Sequence, residues 1–257
     1  MHAQDRKWLT ADAYPTAPAS VSEMYETHLA IQRHPLVSSA FGGLAGYKLG
    51  AIGAEGETCL YAPLFKSFLV EAPGGELSAS AYNLWQIEPE VGIFMGAGLP
   101  PRDDGAPHSV DAVWAAAAEV VLCIECCGKR RTPEAVISGL ASYADTLSSG
   151  GVVLGPRLPA ASVSHDALRG ATVLLVNDEV AAEGSGAATP LGGPAEALTW
   201  LANHLNGRGL ALEKGHFVAT GQTCNTKACK PGDRVTATYA SLAGLGASNI
   251  VEMQIAP

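Results

Sequence analysis

The chain has 257 residues, of which 47% are hydrophobic, and a formal net charge of −9. That length suits one large domain or two small ones, and that apolar content supports a sizeable core. The acidic balance argues against nucleic-acid and anionic-membrane partners, which need basic patches. No run reaches the length of a membrane span. The start, Met1-His2-Ala3-Gln4-Asp5-Arg6-Lys7, lacks the apolar stretch of a signal peptide.

In chain order, residues 1–19 hold Pro15 and Pro18 and read as an arm. Val21, Met24, Tyr25 and Leu29 recur at near-helical spacing, so residues 20–34 predict a helix that stops at Pro35. Residues 46–96 read as short strands with turns at 53–56 and 74–75, and 100–105 as a polar loop. Ser109 caps an alanine-rich helix predicted through Ala118, which feeds a strand. Thr132-Pro133-Glu134 opens a second helix, with proline at its first position, that ends near Ser148-Ser149-Gly150-Gly151. Leu174 to Val180 is a hairpin signal with Asn177-Asp178 at its tip. Residues 194–205 predict an amphipathic helix ending at Gly207, and 217–220, 234–239 and 250–255 predict strands. The mixture suggests an α+β fold dominated by curved antiparallel sheets.

Glu88-Pro89-Glu90 lies in an apolar strand-like run. Residues i and i+2 of a strand share a face, so the two carboxylates stand roughly 6–7 Å apart at Cα. Like charges on apolar walls persist only when a proton or a cation relieves them. Hard oxygen ligands favour Mg²⁺, Mn²⁺ or Ca²⁺. The competing reading is a solvated edge strand with two surface glutamates. A third glutamate, Glu125, interrupts a second apolar run, Val120-Val121-Leu122-Cys123-Ile124, where a lone carboxylate needs a partner. Three such groups on neighbouring strands would form one open face of an octahedral site. Cys123 and Cys126 have CxxC spacing, with Cys224 and Cys229 as further zinc ligands or a loop disulfide, but zinc ribbons place CxxC on a turn and this one reads as strand. Cysteines inside an apolar strand suit a reducing, cytoplasmic setting.

The ordered blocks resemble the fumarylacetoacetate hydrolase superfamily, nearest its 2-hydroxypentadienoate hydratase and 4-oxalocrotonate decarboxylase branch. Gly46-Tyr47-Lys48-Leu49-Gly50 resembles one block, Glu88-Pro89-Glu90 the metal pair, and Ile124-Glu125 the third metal glutamate. Ser148-Ser149-Gly150-Gly151-Val152-Val153-Leu154-Gly155 resembles another. So do Gly184-Ser185-Gly186-Ala187-Ala188, the run from Pro194 to Asn203, Thr220-Gly221, and Lys230-Pro231-Gly232-Asp233. Gly128, Gln86, Thr146 and Asn225 depart from the family pattern near the expected pocket.

The resemblance implies a mixed β-roll of curved sheets with flanking helices. Residues 1–45 would be an N-terminal arm and helix, and 46–257 the catalytic domain. It implies Mg²⁺ or Mn²⁺ on Glu88, Glu90 and Glu125, with Lys48 as the catalytic group beside an enolate oxygen. Ser148, Ser149, Gly150 and Thr220 would bind substrate, although Ser-Gly-Gly is also ordinary turn chemistry. His28 and His34 fall where hydrolytic members keep a lid dyad. No block matches there, so they and nearby Glu23 and Glu26 read as a solvated helix face. The expected function is a homo-oligomeric lyase adding water to a small 2-hydroxy-dienoate or 2-oxo-enoate. A 2-oxo-3-enedioate decarboxylase, an acylpyruvate hydrolase and a non-catalytic homologue are the alternatives.

Overall fold

The computed structural model describes residues 16–50, 59–71, 75–132, 139–242 and 248–257. Ser20 caps α1 (Val21–Arg33), its Oγ accepting from Glu23 N at 3.2 Å. α1 ends at Arg33, before Pro35, as expected, but helical structure resumes at once. His34 caps a new helix, α2 (Pro35–Phe41), in which proline takes the first turn, where no N–H is needed. There follow β1 (Leu44–Gly50), β2 (Leu60–Phe65), β3 (Leu69–Glu71), β4 (Gly75–Ser78), the single turn α3 (Ala79–Tyr82) and β5 (Leu84–Met95). The predicted turn at 53–56 and residue 74 lie outside the described residues.

Ser109 caps α4 (Val110–Ala115) as predicted, but the helix is shorter than its alanines suggest. Ala117 already belongs to β6 (Ala117–Gly128), because pairing with β5 overrides a weak helix propensity. The predicted helix start at Pro133 also falls outside the described residues. α5 (Gly139–Ala144) leads into β7 (Ser149–Pro159) and α6 (His165–Leu168). β8 (Ala171–Val176) and β9 (Glu179–Ser185) form the predicted hairpin. Asn177 and Asp178 at its tip have φ of 54° and 69°, the left-handed pair that a two-residue hairpin requires. α7 (Pro194–Gly207), β10 (Phe217–Gln222), β11 (Lys227–Ala228), β12 (Arg234–Tyr239) and β13 (Ile250–Ala256) complete the order.

The larger sheet runs β2-β1-β10-β5-β6-β7-β3, with β11 also on β5, and the smaller runs β4-β13-β12-β8-β9. Pairing is mostly antiparallel, with parallel steps at β1/β10, β3/β7 and β13/β4, so the fold is α+β with mixed sheets. Alternation along β6 divides the core. Val120, Leu122, Ile124 and Cys126 pack with side chains of the smaller sheet. Val121 and Cys123 pack on the inner face of the larger sheet with Leu64, Leu154 and Phe217. A third cluster joins Met24 and Tyr25 of α1 and Leu198 and Leu201 of α7 to Tyr47, Leu49 and Tyr61. Cys123 and Cys126 therefore sit on opposite faces of one strand and cannot close on one ion. All six cysteines are free thiols, so Cys224 and Cys229 form no disulfide. No described helix is long and apolar enough to cross a membrane.

Candidate metal centre

Strand pairing sets Glu88 directly opposite Glu125, and Glu90 opposite Cys123. Glu88, Glu90 and Glu125 all project to the inner face of the larger sheet. One carboxylate oxygen from each lies within 4.8 Å of the others. Glu90 and Glu125 are fully buried and Glu88 half-buried.

Each glutamate is held by one protein donor. Glu88 Oε1 accepts from Thr226 Oγ1 at 2.6 Å, and Glu90 Oε2 from Gly221 N at 2.9 Å. Gly221 has φ +106°, and a Cβ there would stand 2.4 Å from the Pro190 ring, so only glycine presents that N–H. Glu125 Oε1 accepts from the Lys48 ammonium, which crosses from β1 over β10 and β5. Glu90 Oε1 and Glu125 Oε2 are buried with no partner among the described residues. Burial, then the charges of Glu125 and Glu88, push the Glu90 carboxyl well above its ordinary range. Burial raises Glu125 too, against the opposing pull of Lys48. Burial alone would discharge Lys48, but Glu125, Cys127 and Glu88 outweigh it and keep the ammonium charged. Negative charge is in excess at this face, and two of its buried oxygens lack a donor among the described residues.

Lys48 Nζ also donates to Leu147 O at 2.9 Å. That carbonyl belongs to a strained turn: Thr146, Leu147 and Ser148 have φ of 50°, 49° and 60°. Non-glycine residues resist this region by about 1–2 kcal/mol each. Arg130 holds the turn, donating to Asp145 O at 3.0 Å, Thr146 Oγ1 at 3.1 Å and Ser149 O at 2.8 Å, and pairing with the Asp145 carboxylate. Arg130→Met should lower any metal-dependent turnover (kcat) by about tenfold or more, the scale for losing a group that orients a side chain of a metal site. Mn²⁺ affinity should stay unchanged. Steady-state kinetics beside calorimetry tests this, and unchanged kcat would refute it.

The remaining expected site residues divide. Ser149 spends its hydroxyl on Thr146 O at 2.8 Å, so turn chemistry accounts for it. Ser148 lies half-buried in the turn. A Cβ at Gly150 would meet Cys126 O at 2.4 Å, so this glycine permits close approach of β6 and β7. Thr220 is not brought to the face. It is fully buried and bonds Val91 O at 2.8 Å, at the irregularity where three steps of β10, from Ala219 to Gln222, oppose two of β5. Sequence reasoning missed Gly221 N, Leu147 O, Thr226, Arg130 and Cys127. The Thr220-Gly221 block pointed to the right strand end but to the wrong residue of the pair. Nothing local marks Arg130 or Leu147.

His28 corrects another expectation. It is fully buried on α1, where Tyr25 and Met24 draw that face onto the sheet, and its Nε2 lies 3.0 Å from Tyr143 O. Burial pulls its pKa from 6.5 to about 4. Above 6.5 the ring is neutral in both states. As pH falls from 6.5 to 4 the unfolded chain takes up a proton that the folded one refuses, so stability is lost across that window. Urea unfolding at pH 7.5 and 4.5 should show wild type losing about 2–3 kcal/mol more than His28→Gln. Equal losses would place the titration elsewhere.

Over 213 residues the chain is 30% identical to 4-oxalocrotonate decarboxylase of Pseudomonas putida, covering 82% of this chain and 76% of that relative. The chain belongs to the fumarylacetoacetate hydrolase superfamily. A second 4-oxalocrotonate decarboxylase, from Pseudomonas sp. strain CF600, is 30% identical over 201 residues, 78% of this chain and 72% of that one. Among solved members of the superfamily, 4-oxalocrotonate decarboxylase of Pseudomonas putida G7, complexed with magnesium and adipate, matches with a TM-score of 0.76 and 26% identity. The match covers 92% of this chain and 86% of that one. Fumarylpyruvate hydrolase of Pseudomonas aeruginosa, in complex with Mn²⁺ and pyruvate, shares the fold at TM-score 0.60 and 17% identity, over 82% and 88% of the two chains. No family model matches the chain.

Proposed function

We propose that the chain is a divalent-metal-dependent lyase that releases CO₂ from a small unsaturated 2-oxo dicarboxylic acid. The observation that carries this reading is the inner-face group: three glutamates with ligand oxygens within 4.8 Å, two buried oxygens without partners among the described residues, and an ammonium beside them. The donors are all hard oxygens, and three carboxylates less one ammonium leave a charge near −2, which one dication cancels. Mg²⁺ or Mn²⁺ is the proposed ion, in keeping with the ions held by the similar structures. When bound, such an ion supplies positive charge to the C1 carboxylate and C2 oxygen of a 2-oxo acid and lowers the energy of its enolate.

The chain's own groups do the rest. In a 2-oxo-3-enedioate the bond to the far carboxylate breaks, and its electron pair runs along the conjugated chain to the C2 oxygen. The carboxylate leaves as CO₂. Lys48, kept charged by Glu125 and oriented by Leu147 O, faces the oxygen that gains charge and stabilises or protonates it. The sequence alone put hydration of a dienoate first. Decarboxylation now leads because both curated relatives are decarboxylases. Hydration stands second, since it runs through the same enolate and asks the same of Lys48. The test is turnover of 2-oxo-3-hexenedioate and 2-hydroxypenta-2,4-dienoate, followed by CO₂ release and dienoate absorbance with Mg²⁺ or Mn²⁺. Metal binding without turnover of either, or of any acylpyruvate, would favour a non-catalytic homologue.

A further inference from the structure

The register of β5 and β6 changes between Leu84 and Gln86, just before the glutamate pair. Leu84 pairs with Gly128 and Gln86 with Cys127, so Trp85 is an extra residue. Leu84 packs into the core between the sheets, whereas the Trp85 ring lies under Lys129, 3.4 Å from Nζ to ring centroid. Pairing continues one step past β6, with Lys129 N donating to Asn83 O at 3.1 Å. Alternation therefore carries Cys123, Glu125, Cys127 and Lys129 to one face. Cys127, paired with Gln86, stands between Glu125 and Lys129 along that strand. Among the described residues Lys129 has no carboxylate partner, while its neighbour Arg130 is fully engaged by the turn at 145–149.

We propose that Lys129, seated on Trp85, binds the far carboxylate of a dicarboxylic substrate whose oxo-acid end lies on Glu88, Glu90 and Glu125. This rests on the reading of that face as the chelating site. The lengths agree. Four strand residues separate the Cα atoms of Glu125 and Lys129 by roughly 13 Å. A six-carbon diacid spans roughly 6 Å between end carbons. About 2 Å to a cation and about 3 Å to an ammonium bring the total to roughly 11 Å, within a lysine side chain's adjustment. A monoacid of the same length leaves Lys129 without a partner. The aromatic seat holds the ammonium without neutralising it, so its charge stays available. In decarboxylation the group it holds departs as neutral CO₂. Lys129 therefore contributes to binding and not to the rate of bond breaking, and its loss should appear in KM.

The experiment compares 2-oxoadipate with 2-oxohexanoate, which share a chelating end and chain length and differ only in the second carboxylate. Calorimetry with Mn²⁺ present should show wild type preferring 2-oxoadipate by roughly tenfold, the worth of one partly exposed charged hydrogen bond. Lys129→Met should erase that preference with 2-oxohexanoate affinity unchanged, and Lys129→Arg should keep it. With 2-oxo-3-hexenedioate, Lys129→Met should raise KM by roughly tenfold and leave kcat within about threefold. A preference that survives Lys129→Met overturns the assignment, and so does equal weakening of both acids. If wild type binds neither acid with Mn²⁺, the chelating face itself is misread and the inference falls with it.

Discussion

Glu125→Gln should weaken Mn²⁺ binding by about 100-fold or more, whereas Glu179→Gln should leave it unchanged. Glu125 sits opposite Glu88 in register, keeps one oxygen without a partner among the described residues, and is fully buried. An amide there removes the negative charge and turns one ligand oxygen into a donor. Glu179 is exposed at the hairpin and faces no other carboxylate of the group. The same substitution has a smaller effect on stability without metal. It takes the nearest counter-charge from the Lys48 side chain, 5% exposed, but leaves Glu88 close by and relieves the repulsion that Glu125 exerts on Glu90. The two effects oppose each other, so the metal-free melting temperature should move by only a few degrees. Calorimetric titration and thermal melts read binding and stability separately. Equal Mn²⁺ affinities in the two variants would remove the centre from Glu125.

Lys48→Met should slow turnover by about 100-fold or more, the scale for losing an acid–base or electrostatic group. Among the described residues Lys48 is the cation paired with one of the three glutamates, and its ammonium is held by both Glu125 and Leu147 O. Mn²⁺ affinity should hold or rise, since the ammonium and a dication compete for the charge of Glu125. A variant that loses metal binding along with turnover would make Lys48 a support of the centre and not a partner of the substrate. Single-turnover kinetics with saturating Mn²⁺ distinguishes the two results.

Much of this centre was legible before any coordinates. Glu88 and Glu90 share a face because strand side chains alternate, which needs only the apolar run around them. Glu125 stood out because a carboxylate inside Val, Leu and Ile is costly. Caps at Ser20 and Ser109 and the Asn177-Asp178 tip were readable because each acts within a few residues. The same short reach explains the errors. Ala116 to Ala118 satisfied helix propensity yet joined the strand paired with β5. Thr220 and Gly221 formed one motif, but at the register shift of β10 against β5 the hydroxyl bonds Val91 O and it is the glycine N–H that meets Glu90.

By itself, then, the sequence determined which residues carry the charge and which strand faces they occupy. Only the tertiary structure decided that β10 lies between β1 and β5, so that Lys48 meets a carboxylate 77 residues away. It also decided that a left-handed turn pinned by Arg130 offers Leu147 O, and that a one-residue bulge seats Lys129 on Trp85. Periodicity and capping are local free energies written into neighbouring residues. Strand order and register follow from the packing of three apolar clusters assembled across the chain, which no short stretch encodes.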